Sequence, residues 1–182
     1  MNRAQLFLLC LAPQFLVVAA AVAREELRLH SGVEVRLDVQ AVDPLSPFAG
    51  RYVHVPLAIE RLSPADTRIE SGLEAGRTVC VRLAHTEPAW SAVEVTREPP
   101  ADGSAIFLRG RWMGENRVEY GLDTFYIPAD GADPSSLSWS SAAKEHALLL
   151  LVRVGSDGRG SIEDLLVHGQ PYAQWNAAQK PR

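Results

Sequence analysis

His54 is the side chain best suited to shuttle a proton near neutral pH, because imidazole is the one side chain whose unperturbed titration falls there. Its acid partners by type are Asp43 and Asp123. A histidine held by a carboxylate would form a general acid-base pair if the two segments meet in space. Ser141-Ala142-Ala143-Lys144 has the Ser-x-x-Lys spacing of a serine/lysine dyad, but such a dyad needs a buried, deprotonated amine and Lys144 stands among polar neighbours. No serine sits in a Gly-x-Ser-x-Gly elbow. His30, His54, His85, His146 and His168 are scattered without metal-ligand spacing, and the glycines stand singly near turns rather than in a phosphate-cradling loop. The chain is therefore expected to hold no metal and no cofactor.

The elements that would carry these residues are mostly strands. Gly32 to Val42 alternates strictly, with Val33, Val35, Leu37, Val39 and Ala41 on one face and Glu34, Arg36, Asp38 and Gln40 on the other. A loop rich in proline and small residues, Asp43 to Gly50, leads into Arg51 to Glu60, where Pro56 demotes the run to an edge strand or a bulge. Arg77 to Ala84, Ala92 to Arg97 and Ser104 to Trp112 continue the alternation across turns at Glu87-Pro88 and Pro99 to Gly103, and read as a meander. Ala147 to Val154 and Ser161 to His168 form a hairpin about the turn Ser156 to Gly160. One short helix is expected over 134–146, opened by a proline and a serine cap. The tail after Pro171 lacks a period and is expected to be loosely held.

Composition frames the class. The chain has 182 residues, 47% hydrophobic and 22% charged, which is globular usage with room for one core. The formal net charge of −4 is interspersed, so no basic face exists for nucleic acid. Of the two cysteines, Cys10 lies in an apolar N-terminal run and Cys80 in a strand, so no disulfide is expected. From Ala4 to Ala23 the chain carries no charge, and a helix of that length rises about 30 Å, enough to span a bilayer. The same run, with Arg3 before it and Ala21-Val22-Ala23 at its end, also fits a cleavable signal. The length of the run favours the anchor, and either alternative exports the rest of the chain.

Two segments resemble the GDYXXLXY family of bacterial exported proteins of unknown function. The first is Asp43-Pro44 through Phe48-Ala49-Gly50-Arg51-Tyr52-Val53-His54-Val55, similar to that family's Asp-Pro, loop and Gly-Asp-Tyr signature. The second, Glu119 to Pro128, is similar to its downstream aromatic segment, and Asp164-Leu165-Leu166-Val167 to its closing strand. At the name-giving motif Arg51 stands for Asp, Val55 for Leu and Leu57 for the last Tyr. The resemblance implies an N-terminal anchoring helix and an envelope location, and supplies no substrate, cofactor or catalytic residue.

The resulting expectation is a mainly β domain at 24–172, an antiparallel sheet closing into a small barrel or a sandwich, behind an anchor or signal at 1–23 and before a loose tail at 173–182. It would face the periplasm from the inner membrane by a single pass through residues 4–23, or be free there if cut after Ala23. It is expected to act as a non-enzymatic module for an integral membrane or other envelope protein. Its candidate binding residues are Asp43, Gly50, Arg51, Tyr52, His54, Tyr120, Asp123 and Tyr126. The alternative is an envelope hydrolase using His54 with Asp43 or Asp123, or Ser141 with Lys144.

Overall fold

The computed structural model describes residues 11–23, 26, 32–40, 52–127, 145 and 147–179, with Tyr52 and Val53 as backbone. Residues 11–23 are helical, and among the described residues no helix is long and apolar enough to cross a membrane. The expected helix over 134–146 lies outside the described residues except for Glu145, which is in a turn.

The β elements follow the alternation closely. β1 (Val33–Asp38) buries Val35 and Leu37 completely, and Val39 continues that face as an isolated bridge to Leu57. Pro56 ends β2 (Tyr52–His54) after three residues, and its carbonyl accepts from the Gln40 amide at 2.9 Å. A 3-10 turn at Ala58–Glu60 comes next, then β3 (Arg68–Ile69), β4 (Thr78–His85), β5 (Trp90–Thr96), β6 (Phe107–Gly114), β7 (Arg117–Glu119) and β8 (Thr124–Tyr126). β9 (Leu148–Val154) and β10 (Gly160–Val167) form the expected C-terminal hairpin, and β11 (Gln170–Pro171) folds back on β10.

These strands make two larger sheets, in the orders β1-β9-β10-β11 and β3-β5-β4-β6-β7, and a two-stranded ribbon of β2 and β8. Both larger sheets keep free ends, so of the expected barrel or sandwich the closed barrel does not occur. One hydrophobic cluster runs between them, from Val35, Leu37, Leu150 and Val152 on the first to Val81, Val95 and Leu108 on the second. The sheets are tied where the Arg109 amide donates to the Gly158 carbonyl at 2.7 Å.

Three expectations need correction. The middle strands are not a meander: β6 pairs with β4 rather than β5, while β3 adds to the far side of β5 in parallel. The reason is burial. β4 hides Val79, Cys80 and Val81 in succession, so both its faces are covered and it belongs at the centre. Antiparallel pairing is consequently dominant but not complete. The tail is held as far as it is described: Tyr172–Gln179 is a helix with Tyr172, Trp175 and Asn176 buried, and 180–182 lie outside the described residues. Tyr172 meets Phe125 edge-on at 5.7 Å between ring centres. Two aromatic anchors one turn apart hold this helix by tertiary packing, and a segment so short shows no apolar period.

Candidate functional site

The ribbon of β2 and β8 brings the two signature segments together. Tyr52 pairs with Tyr126, Val53 with Phe125 and His54 with Thr124, and beyond the last pair the Val55 amide donates to the Asp123 carbonyl at 2.8 Å. This register sets Asp123 beside His54. His54 Nδ1 lies 3.3 Å from Asp123 Oδ2, with both side chains about two-fifths exposed.

Glu60 completes the cluster from behind. Pro56 stops the strand, the 3-10 turn reverses the chain, and the Glu60 amide closes on the Leu57 carbonyl at 3.0 Å. Its carboxyl is pushed above the usual range, first by burial and then by the Asp123 charge, against the opposing pull of His54, the Leu57 amide and Arg117. Tyr120 lies beneath with its ring partly exposed and its hydroxyl deep, donating to the Ile59 carbonyl at 3.1 Å. Burial, and then the Glu60 charge, raise that phenol so that it stays protonated.

The chemistry available is that of two carboxyls in unlike settings: Asp123, half-exposed against an imidazole, and Glu60, desolvated and readier to hold its proton. Such pairs can divide base and acid roles. Among the described residues no group of three or more His, Cys, Asp or Glu side chains is placed to hold a metal ion.

The other expected site residues do not all join this cluster. Tyr126 is 77% exposed and pairs with Tyr52, two residues along the same ribbon from the His54–Thr124 pair. Tyr120 is a packing and hydrogen-bonding residue under the cluster. Asp43, Gly50 and Arg51, like Ser141 and Lys144 of the alternative dyad, lie outside the described residues. Glu60 and Arg117 escaped sequence reasoning. Glu60 shares the parity of His54 in the run from Arg51, but the 3-10 turn breaks that alternation, so only the fold returns it to the cluster.

The fold and site define a mainly β protein of open sheets whose two signature segments are zipped into one exposed ribbon. The family model described as GDYXXLXY protein matches residues 14–165, most of the chain, and the chain belongs to this family, whose function is unknown. No curated protein and no solved structure matches it.

Proposed function

We propose that the chain is a membrane-tethered accessory module of the bacterial cell envelope, which binds another envelope protein through the β2–β8 ribbon. The observation that carries this reading is the ribbon itself. It gathers both signature segments on one surface, where Tyr126 and the His54–Asp123 pair are open to solvent. An exposed aromatic beside a polar pair is the composition of a protein contact, in which tyrosine supplies area at low entropic cost.

The tether is supported by the helix at 11–23, where Phe15, Leu16, Val17, Val18 and Val22 are each more than 60% exposed. Apolar surface of that kind needs cover, and the uncharged run from Ala4 offers the remaining length of a bilayer span. The domain then faces the periplasm, as a single-pass protein or as a free one if the chain is cut after Ala23.

A photocrosslinking amino acid placed at position 126 of the full-length protein in native membranes tests the contact, with Met113, exposed on β6 of the five-stranded sheet, as the control position. A discrete adduct at position 126 and none at 113 supports the module. Equal labelling at both, or none at either, removes it. Intact mass of the recovered chain reports whether residues 1–23 remain.

A second reading, an envelope hydrolase, is favoured by one observation: the 3.3 Å His54–Asp123 contact beside Glu60, whose carboxyl burial pushes above the usual range. Turnover of simple chromogenic esters that is abolished in His54→Gln would support it. No turnover, or turnover indifferent to that change, would remove it.

A further inference from the structure

A second surface, apart from the His54 cluster, is shaped for a ligand. β6 pairs with β4 along most of its length, but its other edge is shared. β7 takes it from Arg111 onward, and the turn between β9 and β10 takes it at Arg109 through the Gly158 carbonyl. Between these two partners lies a groove of about 480 Å³, lined by β6 together with Tyr120-Gly121 and Arg159-Gly160. Volumes of roughly 300–1,000 Å³ are those of ligand sites.

Four charged residues line this groove, three arginines (Arg109, Arg111 and Arg159) and one acid, Glu119. Neutralisation of the arginines is incomplete. Arg111 has Glu119 at 3.7 Å and Arg159 has Asp157 at 3.9 Å, both loose and exposed contacts, while Arg109 has no ion pair among the described residues. Three arginines at one opening offer planar guanidiniums of the kind that match the oxygens of a phosphate or carboxylate.

The groove does not end at the arginines. Past Gly121 and Gly160, which line both parts, it continues as a second hollow over Leu122, Phe125 and Ile162, reaching the exposed ring of Tyr126. One end is rich in cations, with Glu119 beside them, and the other carries apolar and aromatic side chains together with Thr124, Ser161 and Glu163. An anion alone would leave the apolar end unused, and a neutral hydrocarbon would leave the arginine end unused.

We propose that this groove binds an anionic amphiphile, with its phosphate or carboxylate head among Arg109, Arg111 and Arg159 and its apolar body along Leu122, Ile162 and Phe125. Lipids of this chemistry surround a protein held at a membrane. The site stands without that tether, because its lining belongs wholly to the β domain.

Binding is measured by titrating full-length protein, in a neutral detergent below its solubilising limit for the probe, with dihexanoyl phosphatidic acid. Dihexanoyl phosphatidylcholine and inorganic phosphate are run beside it. The expected result is saturable binding of the phosphatidic acid, at least tenfold weaker binding of both controls, and a tenfold or greater loss in the Arg109→Gln/Arg159→Gln double variant. Both arginines are exposed, and an unchanged thermal midpoint confirms that the variant is folded. Ile162→Ser should weaken the lipid and leave inorganic phosphate unaffected. Equal affinity for the zwitterionic lipid, equal affinity for inorganic phosphate, indifference to the double substitution, or no binding at all would each overturn the proposal.

Discussion

His54 Nδ1 lies 3.3 Å from Asp123 Oδ2, two residues far apart in the chain that become neighbours because β2 and β8 pair with Thr124 opposite His54. Both side chains are substantially hydrated, so water competes for the pair and its contribution to stability is expected at about 0–1 kcal/mol. His54→Gln and Asp123→Asn should therefore fold, with urea unfolding free energies within about 1 kcal/mol of the parent. A loss of several kcal/mol would make the pair a structural element and disqualify these variants as functional probes.

Glu60 predicts a pH dependence. Its carboxyl is raised above the ordinary 4.5, by burial first and by Asp123 second, so the folded state holds its proton more tightly than the unfolded chain does. Below about that ordinary value both states are protonated and nothing is lost. As pH climbs from there through the raised folded value, the unfolded chain releases its proton first and stability falls. Glu60→Gln should raise the thermal midpoint at pH 7, with the gain disappearing near pH 4. Asp123→Asn, by removing the second cause, should shrink the gain. A midpoint lowered at pH 7 would contradict the assignment.

Gly158 sits at φ +76°, and a Cβ there would come within 2.3 Å of the Phe107 ring. Gly158→Ala therefore meets both backbone strain and overpacking, each on the order of 1–3 kcal/mol. Chemical denaturation should show that loss. Combined with Phe107→Ala, which removes the obstructing ring, the two changes should cost less than their sum. Strict additivity would mean that the turn moves rather than collides.

Trp175 is 7% exposed on the C-terminal helix beside Tyr172, whose ring packs on Phe125 of β8. Trp175→Ala should destabilise by about 3–5 kcal/mol, as for other buried large aromatics. Because the helix reaches the ribbon through Tyr172 and Phe125, hydrogen exchange should also quicken at Thr124–Tyr126. Normal stability in the alanine variant would return the tail to the status of a loose end.

Cys80 is 3% exposed on central β4, and burial pushes its thiol above the usual range, outweighing the nearby Arg109 charge. It should resist alkylation by iodoacetamide at pH 8 in the folded protein and react fully in denaturant. Rapid labelling of the native state at this position would show β4 to be accessible.

Local alternation was enough to find β1, most of β4 and the C-terminal hairpin, because a period of two is written directly in Val33 to Val39 and the run at Leu148 to Val154 needs only a partner on each side. The weakness of the run after Gly50 was also legible, since Pro56 cannot donate to a ladder wherever it sits. His54 and Asp123 could be named from their side-chain types. Their meeting could not, for it depends on which strands pair, and pairing is a contest among all apolar faces at once.

That contest was decided only in the tertiary structure. It placed β4 between β5 and β6 because β4 alone of the three buries adjacent residues on both faces. It also turned Glu60 back beneath Asp123 and gave Tyr172 and Trp175 the core they need to hold a helix. The sequence by itself determined residue chemistry, local period and family. Register, strand order and burial, and with them the charge state of Glu60 and the grouping of Arg109, Arg111 and Arg159, arise from packing between segments distant in the chain, which no local pattern encodes.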